Sequence, residues 1–194
     1  AARIGSAGAV KAPGPEIARK TEGGAVTPGR NGGRATTDAA RAMAERIGGA
    51  GSAIEGFLVQ EMIEEGVEML VGVAHDPVFG PVVACGAGGT SVELVHDVAV
   101  RVTPITDVDA SEMVRTLRTF PLLEGFRGAP KADVLALEEV ILRVGALVDN
   151  HPSIAEMDCN PVMILPRGAV VVDARVRVQE ASPTKPLAAR ATPD

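Results

Sequence analysis

An α+β fold is predicted by three observations. Short apolar runs of four to eight residues, bounded by Gly, Pro and Asp, recur between residues 57 and 102 and again between 154 and 178, the length and punctuation of β-strands. Helical patterns occupy only three stretches, too few to bridge each pair of strands as a doubly wound parallel sheet requires. The 194 residues, 46% of them hydrophobic, suffice for one ordinary domain or two small lobes.

Taken in order, Gly8-Ala9-Val10-Lys11-Ala12 reads as a strand ending in a lysine, stopped by Pro13-Gly14-Pro15. Residues 21–36 are Gly-rich and contain Pro, so they read as loop with weak strand character at Ala25-Val26. A helix is predicted from Thr37 to Ile47, capped by Thr37 or Asp38 and stopped by Gly48-Gly49. The runs GFLVQEMI, VEMLVGVAH and PVVACG predict three sequential strands and an antiparallel meander. Gly86-Ala87-Gly88-Gly89-Thr90 reads as a flexible loop, followed by a strand at Val98–Val102. Helices are expected from Asp109 to Arg118 and from Asp133 to Asp149; the second carries Val134, Leu137, Ile141, Val144 and Val148 at steps of three and four, with Asp133 as its N-cap. Three short strands, IAEMDC, PVMIL and AVVVDARVRV, are then divided by Asn160-Pro161 and Pro166-Arg167-Gly168. Residues 179–194 read as a linker or disordered tail.

Composition narrows function. Four Phe with no Tyr or Trp leave no aromatic platforms for stacking single-stranded nucleic acid. The net charge of -6 opposes affinity for phosphate backbones or anionic membranes. Residues 1–50 hold eight Lys/Arg against four Asp/Glu, so the basic end is the place to look for an anion site. No apolar run reaches the length of a membrane span and no signal-peptide layout opens the chain, so a cytoplasmic setting is expected. Cys85 and Cys159 lie in apolar contexts without metal-ligand spacing and read as buried, reduced thiols. His75, His96 and His151 have no nucleophile motif beside them. Beginning at Ala1 without Met, the chain reads as a piece of a longer frame.

One constellation suggests chemistry. Alternation along a strand places Glu156, Asp158 and Asn160 on one face and Met157 and Cys159 on the other. A tight turn after that strand carries Asp173 back beside the row, gathering two carboxylates and an amide oxygen. Such hard oxygen donors suit Mg²⁺ completed by substrate phosphates. The plainer alternative is a polar sheet face with Asp173 capping a turn, and spacing alone favours it. Lys11 at a strand end reads either as a phosphate contact or as a solvated lysine. Gly23-Gly24 and Gly88-Gly89 would allow close approach to phosphate, but neither matches a P-loop or dinucleotide fingerprint.

The order of motifs resembles the ATP-grasp portion of NDP-forming acyl-CoA synthetases, such as ADP-forming acetyl-CoA synthetase, relatives of the succinyl-CoA synthetase β chain. The likeness runs from about residue 3 to residue 178. It rests on GFLVQEM at 56–62, the DPxFGPVV run from Asp76 to Val83, the GxGG loop from Gly86 to Gly89, and the D-x-N-P and V-D-A-R pair between Asp158 and Arg175. The resemblance implies an ATP-grasp fold of two α+β lobes, N-terminally truncated. It also implies three parts: residues 1–56 as a partial phosphate-binding lobe, 57–178 as the lobe with hinge strand and metal site, and 179–194 as tail.

It further implies ATP/ADP and Mg²⁺ as cofactors. Lys11 would hold ATP phosphates, Gln60, Glu61 and Met62 would form the hinge beside the adenine, and Glu68 would contact the ribose. Asn160 and Asp173 would ligate Mg²⁺, with Asp158 in the adjacent acidic position. In the family the phosphoryl group passes to a histidine of a CoA-binding ligase region, a partner region or subunit absent from these residues, and then to a carboxylic acid that CoA captures. An oligomer is implied in the full protein. The alternative implied role is a nucleotide-sensing regulatory module, like synthetase-like regions fused to acetyltransferases. One departure stands out: the family's HK[ST][DE] motif reads Arg19-Lys20-Thr21-Glu22 here, and an arginine cannot form a phosphohistidine.

Overall fold

The computed structural model describes residues 8–12, 26–28, 33–48, 56–63, 66–89 and 97–180. Two compact units divide between Glu64 and Glu65. Arg19 to Glu22, Gly23-Gly24, His96 and residues 181–194, and with them the expected tail, lie outside the described residues.

In the first unit, β1 (Gly8–Lys11) is flanked by β2 (Val26–Pro28) and β3 (Leu58–Glu61) in an antiparallel sheet of order β2-β1-β3. Helix α1 (Gly33–Gly48) packs on it through Met43 and Ile47. These lie one turn apart on one helix face and close a small core with Val10 and Ala12. The helix begins earlier than the expected Thr37, and Thr37 and Asp38 lie inside it. Arg34 and Ala35 are strong helix formers and no proline intervenes, so the turn propagates back towards Gly33.

The second unit is built on an antiparallel sheet of order β6-β5-β4-β7-β8, with β9 also paired to β7. Its strands are β4 (Val67–Asp76), β5 (Gly80–Ala87), β6 (Val98–Val102), β7 (Ile154–Ile164), β8 (Ala169–Val171) and β9 (Ala174–Val178). Between β6 and β7 come α2 (Asp107–Arg115), α3 (Phe120–Leu123) and α4 (Val134–Asn150). Period-two alternation sends Met69, Val71 and Val73 of β4, Val83 and Cys85 of β5 and Cys159 of β7 into one core. The α4 stripe of Leu137, Ile141, Val144 and Val148 meets them there with Ala110, Met113 and Val114 of α2. Each fully buried Leu, Ile or Met contributes roughly 1.5–3 kcal/mol. Thr106 and Asp109 form a reciprocal capping box at the start of α2. Asp133 caps α4 through Ala136 N–H and also accepts from Gly168 N–H, tying the helix to the turn before β8.

Three expectations are corrected. The run at 57–63 does not join a meander with 67–87. Strand β3 instead pairs with β1, within the first compact unit, and the meander is β4-β5-β6. Asn160-Pro161 does not divide two strands: β7 runs through it, and the interruption is absorbed as a register shift opposite Met69–Val71. The helix expected from Asp109 to Arg118 is α2, displaced towards its true cap at Thr106, followed by the separate short α3.

Candidate nucleotide and metal site

In the first unit the antiparallel register sets Gln60 opposite Ala9 and Lys11 opposite Leu58. Directly opposed residues share a face and alternate residues repeat it. Lys11 and Gln60 therefore lie on one face, about 7 Å apart along the strand direction. Val10 occupies the other face, against α1. Glu61, opposite Gly8, falls on the Val10 side, and Met62 follows the strand, half-buried. Of the residues expected to contact nucleotide in this unit, the sheet thus brings Lys11 and Gln60 together and turns Glu61 away.

In the second unit four strands converge on a polar corner. The face of β7 opposite the buried Cys159 carries Glu156, Asp158 and Asn160, as alternation predicts. Pairing with β9 sets Asp158 opposite Arg175 and Glu156 opposite Arg177. Strands β8 and β9 follow one continuous register along the same edge of β7, Val162 opposite Val171 and Cys159 opposite Ala174, and between them Asn160 N–H donates to the Asp173 carbonyl at 3.2 Å. Asp173 thus stands beside Asn160, brought back along the edge of β7 by the chain that follows the turn at Pro166–Gly168.

Burial raises the Asp158 pKa; Arg175 opposes the shift, while Asp173 and Glu156 add to it. A carboxylate in that setting is stabilised by any cation that joins it. Asp158, Asp173 and the Asn160 amide oxygen are all hard oxygen donors, the set that Mg²⁺ accepts when phosphate oxygens and water complete its octahedron. They include two carboxylates only, and no cluster of three His, Cys, Asp or Glu side chains suited to a metal occurs among the described residues.

The glycine loop after β5 enters the same corner. Gly88 N–H donates to the Glu68 carbonyl at 2.9 Å and Gly89 N–H to Asn160 Oδ1 at 3.3 Å, while Ala87 N–H is taken by the Asp97 carbonyl. These amides bind protein oxygens, so this stretch is a packing junction and not the phosphate cradle that its glycines suggested. A Cβ on Gly88 would stand 2.6 Å from the Met69 carbonyl oxygen, and one on Gly89 would overlap the Glu68 carboxylate. Glu68 is therefore grouped with Gly89 and Asn160. The link from Gly89 to Asn160 spans 71 residues and has no signature in the sequence beyond the glycine pair.

The ATP-grasp domain family matches residues 1–178. The chain belongs to that family. The domain is 45% identical over 127 residues to an ADP-forming acetate–CoA ligase of Archaeoglobus fulgidus, a match covering 66% of this chain and 18% of that protein. It is 42% identical over 121 residues to the β subunit of an ADP-forming acetate–CoA ligase of Pyrococcus furiosus, covering 62% of this chain and 52% of that subunit. The chain thus spans about a fifth to a half of the length of these relatives.

Among solved structures, the domain resembles the dinucleotide-forming acetyl-coenzyme A synthetase 1 of Ca. Korarchaeum cryptofilum in complex with coenzyme A and Ca-AMPCP. The TM-score is 0.86 at 37% identity, over 92% of this chain and 79% of that one. A second structure of that enzyme holds coenzyme A and Mg-AMPPCP, with a phosphohistidine segment pointing towards the nucleotide site; it matches with a TM-score of 0.81 at 35% identity over the same shares. The ATP-grasp domain thus carries the mixed α and β architecture expected, and no helix among its described residues is long and apolar enough to cross a membrane.

Proposed function

We propose that this ATP-grasp domain binds Mg²⁺-nucleotide and serves as the phosphoryl-handling part of an ADP-forming acyl-CoA synthetase, which catalyses acyl-CoA + ADP + Pi ⇌ carboxylic acid + CoA + ATP. The observation that carries the reading is the row of oxygen donors Asp158, Asn160 and Asp173 across β7 and the junction of β8 and β9 beside it. It lies in a domain similar to one solved with a nucleotide analogue and a divalent cation.

Asp158, Asn160 and Asp173 would hold Mg²⁺, which would supply charge neutralisation to the nucleotide phosphates during phosphoryl transfer. Asp158 and Asp173 contribute the negative charge that retains the cation, and Asn160 contributes a neutral oxygen that adds no repulsion between ligands. Lys11 acts as a point charge on the phosphates, Gln60 and Met62 line the base, and Glu68 accepts from the ribose. Glu61, turned to the other strand face, contributes through its backbone. A CoA-binding ligase region, in the same polypeptide or a second subunit, accepts the phosphoryl group and completes acyl transfer.

Calorimetric titration of ATP into the chain, with and without Mg²⁺, tests the reading. ATP should bind in a Mg²⁺-dependent manner, and Asp173→Ala should abolish the Mg²⁺-dependent component, weakening affinity by about tenfold to a hundredfold. Equal binding by wild type and Asp173→Ala in Mg²⁺ would overturn the site. Binding without phosphoryl transfer, once a ligase partner is supplied, would favour a sensing role instead.

A further inference from the structure

We propose that Gly89 is a positioning residue for the cation site: its backbone N–H fixes the orientation of the Asn160 amide, so that oxygen and not nitrogen faces the cation. The proposal rests on the Asp158, Asn160 and Asp173 site described above. A side-chain amide has an acceptor end and a donor end of nearly the same shape, and a half-turn of Asn160 would present an NH₂ group to a cation. A backbone N–H donates only to the oxygen end, and Gly89 N–H donates to Asn160 Oδ1 at 3.3 Å. The carbonyl-type oxygen has two lone pairs, so accepting from Gly89 leaves the second available to a cation.

Three features hold the donor in place. Gly88 N–H is bonded to the Glu68 carbonyl at 2.9 Å. The Gly88 Cα sits so close to β4 that an added Cβ would lie 2.6–2.7 Å from backbone atoms of Met69. Gly89 adopts φ +67°, where side chains other than glycine's are disfavoured, and the Glu68 carboxylate occupies the space of its missing Cβ. The turn is thus pressed between β4 and β7, and only two successive glycines bring a backbone N–H to this depth. A side chain at position 89 overlaps the Glu68 carboxylate and is disfavoured at φ +67°, and relaxing the backbone out of that conformation withdraws the donor from Asn160.

The test reads Mg²⁺ affinity and not activity. Mn²⁺ binding by electron paramagnetic resonance and Mg²⁺-dependent ADP binding by calorimetry are measured for wild type, Gly89→Ala, Asn160→Asp and the double variant, with thermal unfolding as the check on folding. Gly89→Ala should lose tenfold or more in metal affinity, the usual effect of removing a group that orients a ligand. ADP binding without metal should change less than the metal affinity. In the Asn160→Asp background, where both oxygens of the side chain accept and no orientation has to be chosen, Gly89→Ala should cost nothing further.

A folded Gly89→Ala chain with wild-type metal affinity overturns the proposal, as does an equal loss in both backgrounds. Should Gly89→Ala not fold, amide exchange in the wild-type chain decides: Gly89 N–H should exchange slowly with and without Mg²⁺ and faster in Asn160→Ala, and rapid exchange in wild type overturns the proposal. Absence of any Mg²⁺-dependent binding in wild type overturns the site itself and this inference with it, an outcome distinct from failure of the Gly89 comparison alone.

Discussion

Asp97 shows how a single buried carboxylate organises its surroundings. Burial alone would raise its pKa, but hydrogen bonds from Thr119 Oγ1 at 2.6 Å, Thr119 N–H at 2.8 Å and Arg118 N–H at 3.0 Å, with the Arg118 charge nearby, hold it below the ordinary carboxylate value. A depressed folded pKa means stability that is present above the unfolded value near 4 and is lost as pH falls through the folded value. Asp97→Asn should therefore lie further below wild type in urea unfolding at pH 6 than at pH 2.5; a constant gap would contradict the linkage. The same charge acts on Cys85, whose thiol is pushed up to about 12, chiefly by burial and then by Asp97. Cys159 is raised by burial and by Asp158. Both cysteines are buried and free. Neither should react with iodoacetamide at neutral pH in the native chain, and both should react in denaturant, as mass spectrometry would count. Their reduced, buried state was legible from apolar sequence context; the coupling of Cys85 to Asp97 was not, because Asp97 leads into β6 and meets Cys85 of β5 only after those strands pair.

At the scale of elements, caps and stripes determine the boundaries. Thr106 accepts from Asp109 N–H and Asp109 accepts from Thr106 N–H, so the start of α2 satisfies two otherwise orphaned donors. Thr106→Ala should destabilise the chain by about 1 kcal/mol, measured as a shift in the urea midpoint without change in slope; no shift would show that packing of Met113 and Val114 alone sets the helix. The α4 stripe was legible almost residue by residue because a 3.6 period over many positions averages out local exceptions. Strand limits were less legible. In β7 the Asn160-Pro161 pair reads as a breaker, yet the strand continues because β4 and β9 hold it from both sides through a register shift. The polar row on β7 was read from alternation and the return of Asp173 beside it from the turn that follows, whereas the continuous pairing of β8 and β9 along one edge of β7 is encoded in no local pattern.

Across the whole molecule the two units differ in the size of their cores. The first closes on Val10, Ala12, Met43 and Ile47 among its described residues, and the second on a cluster drawn from three strands and the helices over them. Buried apolar area is the main favourable term, so the units should open at different free energies. Native-state hydrogen exchange should find amides of β4, β5 and β7 exchanging only through global unfolding of the second unit. Those of β1 and α1 should exchange through a lower-energy opening. A single common exchange free energy for both units would refute this.

Composition, periodicity and turn residues determined the α+β class, most elements, the buried α4 stripe, the reduced cysteines and the pairing of Asp158 with Asn160 on one strand face. These follow from interactions between residues a few positions apart, which a linear pattern records. Tertiary structure alone decided that β3 belongs with β1, that Lys11 and Gln60 share a sheet face from which Glu61 is turned away, and that Glu68, Gly89 and Asn160 meet. Each of these depends on strand order and register, set by which distant segments bury their apolar faces together, and a one-residue change of register would reverse every side chain involved.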